Sequence, residues 1–375
     1  MKASATYICP LRGLIRFEAP DSNHLRNAAR VAKGLGLHKL YIPVLENSLL
    51  GTSRSKVAFL DQLVGALDVA LDAGLTVGMI APCQRLLGVA WPAPYLVTPS
   101  ANPGGCPAFL DGRIRFLKPY AWWTDALVVE KRIHWLKDIL SAVRGHPALS
   151  GWVVLNRELE WATPNPLAAE FVLKSIVNEV RERDERITIY LGIGWQECFH
   201  PEVVNGLAKE VGGFLVSGLE ERLEDLGGPA DLEKEILVAA FLSAFARWFF
   251  KKEAEIEVGW RFREKLEKED AWFEAGRRLG SGGLRELNWL SLCDPLPSAK
   301  EEPPWLLHEG LAQVSLLNGA LSPKERVVEW LDHLRSVHPK PQEDSVEFID
   351  VSPEEYLAAP KAHLVRLWMR FQEGS

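Results

Sequence analysis

Six carboxylates lie at or just past the ends of apolar runs: Glu46, Glu158, Glu197, Glu220, Glu221 and Asp294. Two carboxylates facing each other across a cleft can share acid and base work, provided one is protonated while the other is ionised. Glu158 sits in the stretch GHPALSGWVVLNRELEW, residues 145–161, directly after Asn156 and Arg157. Arginine stays protonated at neutral pH and donates no proton. Facing a cleft, Arg157 would instead take a carboxylate or phosphate group of a ligand; its ordinary role is an ion pair with a neighbouring glutamate. Glu160 reads as a solvated loop residue. Fourteen tryptophans are many for 375 residues, and Trp195, Trp289 and the Trp122–Trp123 pair could lay their faces on a sugar ring or simply fill a core. The other carboxylates also have an ordinary reading, as solvated charges or as charges at helix N-termini.

Composition narrows the chemistry. The chain is 47% hydrophobic and 25% charged with a net charge of −7, an ordinary globular balance able to bury a large core. It has no basic stripe interleaved with aromatics, so nucleic acid is not an expected partner. No apolar run reaches the length of a signal peptide or a membrane span, which reads as a cytoplasmic chain without a membrane partner. Cys9, Cys83, Cys106, Cys198 and Cys293 lie far apart without CxxC spacing and read as reduced thiols. Cys9 and Cys293 become neighbours if the first and last strands pair, still as inert thiols. His308 and Glu309 lack partners at ligand spacing, so neither a metal nor a cofactor is expected. The LGSGGL stretch lacks the Lys-Ser/Thr ending of a phosphate loop and reads as a turn.

Positioning such side chains requires a scaffold, and the pattern supplies one. Eight β-rich runs recur along the chain: TYICPL (6–11), KLYIPVL (39–45), LTVGMIAP (75–82), LSGWVVLN (149–156), ITIYLGIGW (187–195), GGFLVSG (212–218), EILVAAF (235–241) and LRELNWLSL (284–292). Between them run amphipathic helical patterns such as SNHLRNAARVAKGLGL, KVAFLDQLVGALDVALDAGL, EKRIHWLKDILSAVRGH and AAEFVLKSIVNEVRERDE. Eight strand-helix units predict an α/β fold, a (β/α)8 TIM barrel with long βα loops, over residues 1–338. A linker and a final amphipathic helix packed on the barrel are expected over residues 339–375. Active sites of such barrels are built on the loops after the strands. The connection over residues 83–124 is long, rich in Pro and Gly, and carries Trp91, Trp122 and Trp123, as functional loops do.

The order of these runs resembles the clan A glycoside hydrolases, particularly the cellulase and mannanase-like barrels. GLGLHKLYIPV is similar to that group's second strand, HPALSGWVVLN to its H-P-A-x-x-G-W fourth strand, and KEILVAAF to its K-P-v-l-v-T-E-F-G seventh. AWFEAGRRLGSGGLRELNWLSLCD resembles its eighth strand with the preceding turn. The resemblance implies a proton-donating glutamate on strand four and a nucleophilic glutamate on strand seven, about 5 Å apart in retaining enzymes. In the ungapped register Asn156 falls on the family asparagine, Arg157 on the proton donor and Ala240 on the nucleophile. Tyr41 falls on a strand-two arginine, Pro82 on a strand-three histidine, and Ser217 and Gly218 in the His-x-Tyr region after strand six; Trp289 would floor the sugar pocket.

On that register the chain is expected to be a pseudo-glycosidase that binds a saccharide or a partner protein, itself or another. The alternative is an active glycoside hydrolase with relocated carboxylates, Glu158 with Glu46, Glu220 or Asp294. A β-bulge at the end of strand four would turn Glu158 to the inside face.

Overall fold

A computed structural model describes residues 1–8, 22–46, 53–83, 85–86, 89–99, 106–110, 113–119, 123–155, 159, 165–217, 232–258, 273, 276–277, 279–280, 284–294, 315–339 and 348–374. Eight parallel strands close a barrel in the order β1-β13-β12-β11-β10-β9-β3-β2. They are β1 (Lys2–Thr6), β2 (Lys39–Leu45), β3 (Thr76–Cys83), β9 (Leu149–Val154), β10 (Thr188–Ile193), β11 (Gly213–Ser217), β12 (Glu253–Val258) and β13 (Glu286–Trp289). This is the (β/α)8 barrel expected from the sequence. The helices outside it include α1 (Ser22–Gly34), α2 (Ser53–Asp72), α3 (Ala126–Val143), α4 (Pro166–Arg183), α5 (Trp195–Phe199), α6 (Pro201–Ala208) and α7 (Leu232–Phe250).

The local chemistry explains the boundaries. Asp125 and Asn165 accept backbone N–H groups at the starts of α3 and α4, satisfying donors that have no partner within the helix. Gly36 and Gly74 take the left-handed conformation after α1 and α2, where a side chain would be strained. Helix faces bury Leu25, Leu63, Leu67, Ile139, Leu173 and Ile176 against the outward residues of the strands.

Two predicted strands are corrected. Residues 235–241 belong to helix α7, and the seventh barrel strand is β12. The first strand ends where the expected one began, at Thr6. The long third connection also has structure of its own, a five-stranded sheet ordered β4-β5-β7-β8-β6 from β4 (Arg85–Leu86), β5 (Val89–Ala90), β6 (Val97–Pro99), β7 (Cys106–Leu110) and β8 (Arg113–Pro119). A smaller pair, β14 (Ser291–Cys293) and β15 (Ser315–Leu317), follows the eighth barrel strand.

Near the chain's end lie α8 (Val327–Ser336), α9 (Pro353–Ala358) and α10 (Pro360–Gly374). Helix α10 packs Trp368 edge-on against Trp195 at 5.6 Å and against Phe241 at 5.2 Å. Tyr356 of α9 donates a 2.6 Å hydrogen bond to the Cys198 carbonyl. No helix among the described residues is long and apolar enough to cross a membrane.

Inside the barrel the lower layer is filled by rings set over glycines. A Cβ on Gly78 would lie 2.3 Å from the Tyr41 ring, and one on Gly213 3.2 Å from the Tyr190 ring. Gly78→Ala is therefore an overpacking change, expected to lower the unfolding free energy by about 1–3 kcal/mol or more. Urea denaturation of the variant beside the wild type measures it; equal midpoints would mean that the Tyr41 ring moves aside at no cost.

Candidate active site

Alternation along each strand decides which side chains enter the barrel. On β12 the tight hydrogen bonds of Glu255 to β2 fix it as inward, so Glu257, two residues on, shares that face. Glu257 is buried, 4% exposed, one residue before the strand's C-terminal end. That end is the barrel mouth, where sites of this fold are built.

Two polar residues, one on each strand flanking β12, stand beside Glu257. Asn288 of β13, fully buried, donates from Nδ2 to Glu257 Oε1 at 3.4 Å and to Thr6 Oγ1 at 3.0 Å. Ser217 of β11 is in register with Glu257. Among the described residues, Ser217 Oγ and Asn288 Oδ1 are buried with no hydrogen-bond partner. Buried polar atoms left unpaired cost free energy, and here both stand beside a carboxylate, where a polyhydroxylated ligand would satisfy them.

Beneath this layer lies a second polar set. Lys39 Nζ donates to Glu255 at 2.9 and 3.1 Å and lies 2.7 Å from Glu286. Tyr41 donates to Glu255 at 2.5 Å, and His38 Nε2 is 3.2 Å from Glu286. Burial, then the neighbouring Glu286 charge, pushes the Glu255 carboxyl up despite Lys39. Burial acts on Glu286 in the same sense, but the His38 hydrogen bond and the Lys39 charge outweigh it and hold Glu286 down. Burial and the Glu255 charge raise Tyr41 and Tyr190 well above the ordinary phenol range, so both remain protonated donors. The set supports the floor of the cleft and leaves Glu257 as the inward carboxylate nearest the mouth on β12.

Strand four ends differently. Leu155, fully buried, has a φ of 54°, a left-handed conformation uncommon for a branched residue. This turn ends the regular alternation of the fourth barrel strand at its last described residue. Asn156, Arg157 and Glu158 lie outside the described residues, as do Glu160, Gly218, Glu220, Glu221, Trp122, Cys9, His308 and Glu309.

The other predicted site residues are in view. Ala240 is on helix α7, not on a strand, and so occupies no nucleophile position. Trp289 is buried edge-to-face on Trp330 of α8 at 5.0 Å; its neighbour Asn288 points inward, so alternation turns Trp289 to the helix layer rather than to a sugar. Trp195 is buried in the aromatic cluster beneath α10, and Trp123 is buried in the core. Tyr41 is inward but low in the barrel. Pro82 follows Ala81 through a cis peptide bond.

The carboxylates thought to be solvated or relocated are mostly engaged. Glu46, fully buried, accepts from Arg132 Nε at 3.0 and 3.1 Å and from the Tyr95 hydroxyl at 2.6 Å. Glu197 is fully buried and accepts backbone N–H groups. Asp294 pairs with Lys324 at 2.7 Å and accepts from Ser315. Cys83, Cys198 and Cys293 are buried reduced thiols.

No family model matches the chain, and no curated protein matches it significantly. Solved structures do. A GH5_18 protein from Streptomyces cattleya in complex with GlcNAc is 15% identical and superimposes with a TM-score of 0.74 over 97% of this chain and 89% of its own. A variant of that protein in complex with Manβ1-4GlcNAc gives a TM-score of 0.67 at 15% identity, over 91% of this chain and 82% of its own. The exo-β-1,4-mannosidase Op5Man5 from Opitutaceae bacterium strain TAV5 gives 0.70 at 14% identity, over 90% of this chain and 59% of its own. These likenesses show the fold, a closed (β/α)8 barrel.

Proposed function

We propose that the chain is a retaining glycoside hydrolase acting on a β-linked mannoside, with Glu257 as nucleophile and Glu158 as proton donor. The observation that carries this reading is the place of Glu257: buried, inward, one residue from the mouth end of the seventh barrel strand, hydrogen-bonded by Asn288. The Manβ1-4GlcNAc held by a structural neighbour motivates the substrate class.

The chemistry is a double displacement. A Glu257 oxygen attacks the anomeric carbon while the bond to the leaving oxygen breaks and that oxygen takes the Glu158 proton. Water, deprotonated by Glu158, then attacks the same carbon, releasing Glu257 as carboxylate. Asn288 orients Glu257, and the unpaired Ser217 Oγ and Asn288 Oδ1 offer contacts to sugar hydroxyls.

A second reading, a saccharide-binding barrel without turnover, is favoured by Arg157 standing where the resemblance asks for the proton donor. Incubation with 2-deoxy-2-fluoro-β-mannosyl fluoride separates the two. Stoichiometric labelling mapped to Glu257 is expected; a label on another carboxylate would reassign the nucleophile. No label, together with no turnover of aryl β-glycosides, supports the binding reading.

A further inference from the structure

Resting on the reading of Glu257 as nucleophile, we infer that Thr6 is a positioning residue for Glu257, acting across the barrel seam through the Asn288 amide. Thr6 is the last residue of β1 and is fully buried. Its Oγ1 accepts a hydrogen bond from Asn288 Nδ2 at 3.0 Å, and the same nitrogen donates to Glu257 Oε1 at 3.4 Å. One amide nitrogen on β13 thus joins the strands on either side of it, β1 and β12.

The hydrogens decide which way the amide faces. An ionised carboxylate accepts and cannot donate, so Asn288 must turn its nitrogen, with two hydrogens, toward Glu257. One hydrogen serves Glu257 and the other serves Thr6. Asn288 Oδ1 has no hydrogen-bond partner among the described residues, so the two bonds from Nδ2 are the hydrogen bonds that hold this fully buried side chain. The bond to Thr6 is the shorter of the two. Without the Thr6 oxygen the amide turns about a soft terminal torsion, and the longer contact to Glu257 loses its alignment. Nucleophilic attack depends on the aim of the carboxylate, since a reacting group misplaced by about 1 Å can cost on the order of 100-fold in rate.

Thr6→Val keeps the shape of the side chain and removes the oxygen. With 2-deoxy-2-fluoro-β-mannosyl fluoride, the rate at which bound reagent labels Glu257 should fall about tenfold in this variant, the scale of a weakened hydrogen bond to a charged group. The reagent concentration giving half the maximal rate should stay within about twofold of wild type, because binding before attack is not what Thr6 serves. Labelling should still run to completion. Thr6→Ser, which keeps the oxygen and drops the methyl group, should recover the rate to within about threefold of wild type. A merely structural Thr6 would change the melting temperature or the fraction of protein that labels, not the rate at which intact molecules react.

A Thr6→Val rate within about twofold of wild type, a loss confined to the labelled fraction, or a Thr6→Ser protein as slow as Thr6→Val would each overturn the assignment while leaving the hydrolase reading intact. A wild-type label on a carboxylate other than Glu257 overturns the assignment together with the nucleophile. Wild type that neither labels nor turns over aryl β-glycosides overturns the hydrolase reading and this one with it. Should Thr6→Val fail to fold, Thr6→Ala beside Thr6→Ser differs by the oxygen alone and is read by the same rate.

Discussion

Glu257→Gln should abolish hydrolysis of 2,4-dinitrophenyl β-mannoside, with kcat/KM falling by at least on the order of 10^4-fold, as when a covalent nucleophile is removed. The change is isosteric. The amide keeps an oxygen for the 3.4 Å hydrogen bond from Asn288, so the melting temperature should stay close to that of the wild type. The activated substrate matters, because it needs no proton from strand four, and its loss therefore isolates the nucleophilic step. A Glu257→Gln protein retaining more than about a tenth of wild-type kcat/KM would remove Glu257 from the nucleophile role and leave the strand-four loop as the place to search.

Much of the barrel was legible in the sequence because its strands from KLYIPVL through GGFLVSG carry apolar residues to both faces. Strand seven was not, and the reason is physical. Helix α7 is buried along Val238, Ala239, Phe241, Leu242 and Phe245, so its run EILVAAF has no polar face and imitates a core strand. The true strand, EAEIEV, alternates three glutamates with Ala, Ile and Val. A carboxylate at every second place reads as a solvent-facing edge, yet here two of those carboxylates face the polar barrel interior. The Glu-x-Glu-x-Glu spacing was the available signal, and the misplaced strand moved the nucleophile position onto Ala240.

The first strand was also read late, because KASAT is small and polar beside the more apolar YICPL that follows. Trp289 was assigned to the cleft by resemblance although its neighbour Asn288 takes the inward place. Glu46 and Glu197 were read as solvated charges or charges at helix N-termini, and Glu197 does stand in the first turn of α5, accepting the Gly194 backbone N–H; the burial of Glu46 with Arg132 depends on tertiary contacts that spacing does not reveal.

Lys39→Met should be the most destabilising single change in the barrel floor. Lys39 is the cation between Glu255 and Glu286, and both carboxylates are buried. Removing one partner of a buried ion pair costs about 3–5 kcal/mol, because the remaining charge keeps its desolvation penalty. The sign with pH follows from the two carboxylates. Without Lys39 both rise relative to the wild-type folded protein, Glu255 from a value already above the ordinary 4.5.

A carboxyl raised in the folded state is penalised above its unfolded value and not below it. The stabilisation that Lys39 gives Glu286, a carboxyl held at about 2, is already missing in full at pH 4.5, and the share from carboxyls left above their ordinary value should add to the deficit as the pH rises toward neutrality. Urea unfolding of both proteins from pH 4.5 to 8 measures this, and a deficit that does not grow over that range would mean that removing Lys39 raises neither carboxyl above its ordinary value.

The barrel closes at the seam between β1 and β13, where the Ser4 hydroxyl donates to the Leu287 carbonyl across a sequence separation of 283 residues. Contacts of such separation are slow to form, because a long loop must close before they contribute. At ribosomal rates of about 5–20 residues per second, the first strand waits on the order of tens of seconds for its partner. During that time one hydrogen-bonding edge of KASAT stands open, a template for pairing with another nascent chain. Its small, weakly apolar side chains and its leading Lys2 are poor material for such pairing, so the seam strand that sequence patterning made hardest to read is also suited to waiting unpaired.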